Sequence, residues 1–205
     1  MTIKNQIATL AELDALYSPV NPTSLLKQLD HVNADYAKFI EASPFVVIST
    51  CGPEGMDCSP RGDPAGFVRV ADPKTLLIPD RRGNNRVDSL RNIVRDPRIG
   101  LLFMVPGVGN TMRVNGRAVL STNKELCAGF ALRDRPPTCV IVVSVEQAYP
   151  QCPKALVRGR LWDATTQLPS HALPSTGAMM QAIDQGFDAQ AYEAEYPARM
   201  ERTLY

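Results

Sequence analysis

The sequence predicts a mainly β protein with a barrel of six short strands in the middle and flanking helices at both ends. From Pro44 onward, short runs of β-branched and apolar residues alternate with turn-forming Pro, Gly, Asp and Asn. On both sides of this region, apolar residues recur at helical intervals. The chain has 205 residues, of which 44% are hydrophobic, so it can bury a substantial core as one domain.

Six runs have the composition of strands, and the segments between them have the composition of turns. Residues 51–56 read as a hairpin loop, and residues 71–74 and 106–110 as turns, because Gly, Pro, Asp and Asn dominate them. Six strands at this spacing suggest a barrel. The predicted strands are residues 45–50, 66–70, 75–78, 98–105, 111–121 and 138–145.

The helices are predicted from periodicity and start signals. Residues 22–42 place Leu25, Leu26 and other apolar side chains on one broad face, after the start signal Asn-Pro-Thr at 21–23. Residues 149–162 fit either a helix or a strand. The remaining predicted helices are residues 7–17, a helix after Arg86, and residues 124–132, 175–185 and 188–199.

These elements suggest three parts within one structural domain. Residues 1–43 are expected to be N-terminal helices that pack on the barrel. Residues 44–163 are expected to form the barrel itself, and residues 164–205 a C-terminal helical tail.

Charge, apolar runs and cysteine spacing exclude several functions. A net charge of +1 gives no general attraction to nucleic acid or an acidic membrane. No apolar run approaches the roughly 20 residues needed to cross a bilayer, and the N-terminus lacks the apolar core of a signal peptide, so we expect a cytoplasmic protein. Five scattered cysteines without a Cys-x-x-Cys pair, together with two histidines, predict free thiols and no metal site.

The loop at residues 79–86 is the strongest candidate for a ligand site. It carries three arginines, Gly83, and two asparagines that could cap the next helix, where free N–H groups attract anions. A solvated, arginine-rich helix start is the ordinary alternative. Because the loop connects a strand to a helix, several donors can converge on one oxyanion, which favours a phosphorylated ligand.

A second basic motif, residues 58–64, could face the same ligand through Arg61. Its alternative is a connector in which Asp63 pairs with Arg61.

Two later segments could also contact a ligand or a partner subunit. Arg113 and Asn115 share one side of a strand. The segment from Lys154 to Trp162 offers charge and a flat aromatic ring to a planar ligand or a partner subunit, although a single Trp more commonly packs in a core or an interface.

These motifs, in this order, resemble the pyridoxamine 5′-phosphate oxidase-like family of FMN-binding split β-barrel proteins, and in particular its uncharacterised FMN-dependent subgroup. The matching text falls in residues 39–50, 59–69, 76–92, 96–103 and 113–118, and the likeness covers about residues 32–163. It implies a six-stranded antiparallel split β-barrel that forms a homodimer, with FMN in each of two clefts between the protomers.

The resemblance also implies a set of site residues. The strand with Arg61 and the loop at 84–86 would hold the FMN phosphate and ribityl chain, with Pro79 and Asp80 beside the ring. Residues 113–115 and 154–162 of the other subunit would complete the site. The cofactor-binding residues expected on this basis are Arg61, Gly62, Asp63, Pro79, Asp80, Asn84, Asn85, Arg86, Arg113, Asn115, Lys154, Arg158 and Trp162.

The function that the resemblance implies is that of an FMN-dependent oxidoreductase, with NADH or NADPH as a possible electron donor. The alternatives are a non-catalytic flavin carrier or sensor, a protein that binds deazaflavin F420 or heme on the same fold, and a protein without a ligand. The C-terminal Arg-x-His with which the oxidase recognises pyridoxal phosphate has no counterpart here. Pyridoxamine phosphate is therefore not the expected substrate.

Overall fold

The fold is a single antiparallel sheet with helices at both ends, seen in a computed structural model that describes residues 3–205. Its seven strands are hydrogen-bonded in the order β2-β1-β5-β6-β7-β4-β3. The strands are β1 (Phe45–Gly52), β2 (Gly55–Gly62), β3 (Arg69–Asp72), β4 (Thr75–Pro79), β5 (Arg98–Met104), β6 (Thr111–Ser121) and β7 (Val140–Gln151).

Eight α-helices flank the sheet in the described residues, with one short 3₁₀ turn at Ala164–Thr166. None of the helices within residues 3–205 has both the length and the apolar character needed to cross a membrane. The helices are α1 (Leu10–Asp14), α2 (Pro22–Leu26), α3 (Ala34–Ala42), α4 (Asp88–Arg95), α5 (Lys124–Gly129), α6 (Lys154–Arg158), α7 (Thr176–Ile183) and α8 (Ala189–Thr203).

The mainly β prediction with flanking helices is confirmed, but the strand count of six is wrong. The seventh strand is β2, for which composition predicted a loop and a connector, although the family resemblance placed Arg61 on a strand. β2 forms a hairpin with β1 whose register pairs Gly52 with Gly55, and Gly55 takes a φ of 126° that favours glycine. Because β2 is an edge strand, Pro60 can belong to it without breaking a ladder on both sides.

Two other predicted strands differ from the observed ones by three residues or more at one end. The predicted strand at 66–70 is observed as β3, Arg69–Asp72. The last strand runs on to Gln151 instead of ending at residue 145. A bulge between Asn115 and Gly116 keeps β6 in register with this longer strand, and a Cβ at Gly116 would lie 2.0 Å from the carbonyl oxygen of Ser144.

The predicted helix at 22–42 is broken into α2 and α3. The N–H of Leu29 donates to the carbonyl oxygen of Ala148 at 3.0 Å, and the N–H of Ala148 donates back at 2.8 Å. Since this main-chain pairing with β7 is incompatible with a helix, the broad apolar face is also divided. Val32 and Ile40 are buried, whereas Leu25 and Leu26 are exposed.

The core lies against the middle of the sheet and is covered by α3 and α4. Its largest fully buried side chain is Phe103 on β5. A smaller cluster of Cys127, Phe130 and Val140 lies under α5. Residues 3–28 contain no buried residue, and in residues 152–205 only Gly177 is buried. The core therefore belongs to the sheet and its adjacent helices.

Candidate functional site

A cleft of about 900 Å³ opens where β2 and β4 end. Its walls also include the loop from Asp80 to Val87, residues 135–138 before β7, and side chains near the C-terminal end of α8. Among the described residues that line it, Asp80 is the single acidic side chain. Five arginines line the same cleft: Arg61, Arg81, Arg82, Arg135 and Arg202.

The two strand ends bring Arg61 and Asp80 together. The main-chain N–H of Asp80 donates to the carbonyl oxygen of Cys139 at 2.9 Å, which extends the pairing of β4 with β7 by one residue. The side chains of Arg61 and Asp80 are mostly buried, and Nη2 and Oδ1 lie 3.9 Å apart. Burial raises the pKa of Asp80, and the charge of Arg61 partly opposes this effect.

The hydroxyl of Ser89, at the start of α4, holds Arg61 in position. Its Nη2 donates to Oγ of Ser89 at 3.4 Å. The Ser89 hydroxyl in turn donates to Asp57 Oδ2 at 2.5 Å, and the Ser59 hydroxyl donates to the same oxygen at 3.0 Å. The network ties β2 to α4 and holds the guanidinium at the edge of the cleft.

Asp63 holds a different arginine from the one expected. Arg81 Nε donates to Asp63 Oδ2 at 2.6 Å, and the Asp63 side chain is only 1% exposed. Arg81 Nη1 also donates to the carbonyl oxygen of Phe130 at 2.7 Å, so the pair links the loop to α5. Oδ1 of Asp63 is buried without a hydrogen-bond partner among the described residues. The alternative in which Asp63 pairs with Arg61 is therefore wrong.

The loop turns through two residues with left-handed backbone. Asn85 has a φ of 61° and Val87 a φ of 51°. Val87 occupies the N-cap position of α4 without a side-chain hydrogen bond, so the prediction that an asparagine caps this helix is wrong. Asn84 Oδ1 accepts instead from the N–H of Arg86 at 3.1 Å, which leaves Asn84 and Asn85 exposed on the cleft wall.

Arg86 lies outside this cleft in the structure. Its Nε donates to Asp88 Oδ2 at 2.8 Å, and its side chain is exposed. It lines a second cleft of about 640 Å³ between the β1–β2 turn and α4, together with Glu54 and Asp57. Of the residues expected near the phosphate, Arg61, Gly62, Asn84 and Asn85 line the main cleft. Pro79 is buried at the end of β4, next to Asp80.

The other predicted residues lie on β6, on α6 or just after α6, and none of them lines the main cleft of the described chain. Arg113 Nη1 contacts the Tyr149 hydroxyl at 3.1 Å. Trp162 Nε1 donates to the carbonyl oxygen of Val108 at 2.9 Å. This group, called the β6–α6 group below, consists of Arg113, Asn115, Lys154, Arg158 and Trp162.

Residues near the C-terminal end contribute to the cleft in a way that the sequence did not predict. Arg202 and Tyr205 line it. Arg135 donates a hydrogen bond to the main-chain oxygen of Tyr205, and the guanidinium of Arg133 lies 5.1 Å from the centre of the Tyr205 ring. These partners are about 70 residues apart in the chain, so no local pattern indicates their contact.

Comparisons with known proteins give one family. The family model described as pyridoxamine 5′-phosphate oxidase matches residues 32–152, which is more than half of the chain. No curated protein matches the chain.

Solved structures with a similar sheet have low sequence identity. HupZ of Group A Streptococcus is 18% identical over 59% of this chain and 94% of its own, with a TM-score of 0.47. General Stress Protein 26 of Bacillus anthracis is 16% identical over 55% and 88%, with a TM-score of 0.42. An FMN-binding protein of Syntrophomonas wolfei is 8% identical over 62% and 90%, with a TM-score of 0.43.

Proposed function

The chain belongs to the pyridoxamine 5′-phosphate oxidase family, and we propose that it is a flavoprotein that binds FMN in the arginine-lined cleft. The proposed activity is that of an FMN-dependent oxidoreductase. The observation that carries the proposal is the set of five arginines in the cleft walls. Arg81 and Arg202 are paired with Asp63 and Glu195, which do not line the cleft, so Arg61, Arg82 and Arg135 are left to oppose Asp80.

The cleft is suited to a phosphorylated, planar ligand. Arginine presents paired N–H groups that match phosphate oxygens, and a phosphate monoester carries up to two negative charges. The volume of about 900 Å³ lies within the range of small-molecule and cofactor sites. Arginine and asparagine side chains share the lining with Leu90, Pro136 and Pro137, which favours a ligand with both a charged end and a flat apolar part.

We assign the phosphate to the part of the cleft that Arg61, Arg82, Asn84 and Asn85 line. Arg61 is fixed by Ser89 and Asp80, so it can present its charge without first losing side-chain freedom. Asp63 anchors Arg81 and thereby positions the loop. Bound FMN would supply hydride-transfer chemistry, and the protein supplies binding and electrostatics.

The β6–α6 group enters the proposal through a second protomer. None of its side chains lines the cleft of their own chain, and together they offer cationic, amide and aromatic groups that suit a flavin ring. In the proposed homodimer, the partner subunit offers these groups to the cleft. The electron donor would be NADH or NADPH.

The absorbance spectrum of protein purified without added cofactor tests the proposal, followed by a spectrum after FMN is added and the excess removed. Flavin bands with one FMN retained per chain would support it. A spectrum that stays flat after loading would contradict it. Absorbance bands typical of heme or of a deazaflavin would identify that molecule, and not FMN, as the ligand.

Turnover separates the enzyme from a flavin carrier. We expect NADH or NADPH to bleach the bound flavin under anaerobic conditions, and oxygen or an organic acceptor to restore it repeatedly. A flavin that is held stoichiometrically and is not reduced by either nucleotide would favour the non-catalytic alternative.

A further inference from the structure

We infer that Ser89 and Asp57 are positioning residues of the main cleft, in which Asp57 orients the hydroxyl of Ser89 so that its oxygen accepts from Arg61. Both roles rest on the proposed function, in which Arg61 binds the phosphate of FMN. Neither Asp57 nor Ser89 is among the described residues that line the main cleft. Each of them therefore acts on a ligand there only through another residue.

One face of β2 carries a carboxylate, a hydroxyl and a guanidinium in series. Because side chains alternate along a strand, Asp57, Ser59 and Arg61 point to the same side, and each is partly buried between exposed neighbours. Ser89, which is 2% exposed, reaches this side from the start of α4 and contacts both Asp57 and Arg61. The alternation of β2 thus brings the carboxylate and the guanidinium to the same buried hydroxyl.

The chemistry of these groups fixes the direction of their hydrogen bonds. An ionised carboxylate only accepts, and a guanidinium only donates. The Ser89 hydroxyl has one hydrogen and donates it to Asp57 Oδ2 at 2.5 Å, so its oxygen lone pairs are left for Arg61 Nη2 at 3.4 Å. A hydroxyl released from Asp57 would be free to turn its hydrogen toward the guanidinium, and the contact with Arg61 would be lost.

Ser89 also keeps the guanidinium of Arg61 away from the nearest carboxylate of the cleft. Nη2 of Arg61 lies 3.9 Å from Asp80 Oδ1, and Nη1 donates to the carbonyl oxygen of Pro60 at 3.1 Å. Without the Ser89 oxygen, the strongest attraction on Nη2 would come from Asp80. The guanidinium would then close on this carboxylate and offer less of its charge to a phosphate.

Paired affinities for FMN and riboflavin test these roles, because riboflavin has the same ring and ribityl chain and lacks the phosphate. Kd values are measured from flavin fluorescence for full-length wild type, Ser89→Ala, Asp57→Asn and Thr50→Val. Thr50→Val is the matched control, since Thr50 is also 2% exposed and joins the sheet to α4 by accepting from Asn92 Nδ2 at 3.2 Å. Urea denaturation of each variant shows that the fold is kept.

Ser89→Ala should weaken FMN binding roughly 5- to 10-fold and change riboflavin binding by less than about twofold, because only the phosphate contact is lost. Asp57→Asn should weaken FMN binding roughly 3-fold, because an amide holds the Ser89 hydroxyl less firmly than a carboxylate does. This sign is informative, since removal of a nearby negative charge by itself strengthens phosphate binding. Thr50→Val should keep the wild-type ratio of the two Kd values.

The same measurement in an Arg61→Ala background separates positioning from general loosening of α4. There, Ser89→Ala should change the FMN Kd by less than about twofold, because its partner is absent. The role of Ser89 would be overturned by wild-type FMN affinity in Ser89→Ala, by equal losses for FMN and riboflavin, or by the full loss in the absence of Arg61. Tighter FMN binding by Asp57→Asn would overturn the role of Asp57. A wild type that binds neither flavin would overturn the proposed function and these roles with it, whereas any of the preceding results would leave the proposed function standing.

Discussion

The middle and the ends of the chain bury their apolar residues very differently. Every buried apolar side chain of the described residues lies between Val32 and Ala148, and the family match covers nearly the same part of the chain. The two ends carry many apolar residues and leave them exposed. The middle therefore folds around its own core, whereas the ends contribute no apolar side chain to that core. The cleft lies where the two regions meet, since Arg202 and Tyr205 join the strand ends in its wall.

The largest effect that this comparison predicts is on stability. Phe103→Ala removes a fully buried ring from the core and should lower the free energy of unfolding by about 3 to 5 kcal/mol. Leu26→Ala, at an exposed position of α2, should change it by less than about 0.5 kcal/mol. Urea denaturation measures both. Equal losses would contradict the division into middle and ends.

A smaller difference in the free energy of unfolding is expected between loss of the buried Asp63–Arg81 pair and loss of the exposed Glu54–Arg95 pair. Asp63→Ala leaves Arg81 without its buried partner and should cost roughly 3 kcal/mol of stability. Glu54→Ala breaks the exposed pair with Arg95 and should cost less than about 1 kcal/mol. The same urea denaturation experiment measures both losses. If Asp63→Ala lowers the free energy of unfolding by less than about 1 kcal/mol, the pair does not hold the loop in place.

The smallest effect concerns pH and Asp80. Because burial raises its pKa, the folded chain binds this proton more tightly than the unfolded chain does. The stability that Asp80 contributes is therefore fully present below its ordinary pKa of 3.8 and is lost as the pH rises through the higher folded pKa. Asp80→Asn removes this titration.

The difference in unfolding free energy, Asp80→Asn minus wild type, should accordingly become more positive as the pH is raised from acid to neutral. Urea denaturation of flavin-free protein at a series of pH values measures it. A difference that stays constant, or that falls with rising pH, would show that burial does not control this carboxyl.

Much of the sheet could be predicted from sequence, because its strands are short apolar runs between turn residues. β1, β4, β5 and β6 lie where they were expected. β2 was missed because Gly55, Pro60 and Gly62 are typical of loops, and only its edge position allows them in a strand. The break at Leu29 also depends on a partner, Ala148, that is distant in the sequence.

The candidate site shows the same limit. The sequence predicted a role for Arg61 and for the loop at 79–86 because their local composition, rich in Arg, Gly and Asn, is typical of an anion-binding turn. It could not show which partner each charged residue contacts. The observed contacts are the ion pairs Asp63–Arg81 and Arg86–Asp88 and the hydrogen bond from Arg135 to Tyr205. Each of these contacts is decided by packing between distant segments.

The affinity for FMN tests the central claim most directly, measured as the Kd of wild type, Arg61→Ala and Arg95→Ala from quenching of flavin fluorescence. Both variants remove one arginine, but only Arg61 lines the cleft, and Arg95 pairs with Glu54 beside the second cleft. Loss of a charge-assisted hydrogen bond should weaken FMN binding by on the order of 10- to 100-fold in Arg61→Ala. Arg95→Ala should bind FMN as wild type does. An Arg61→Ala variant that holds FMN with unchanged affinity would contradict the assignment of the phosphate to this cleft.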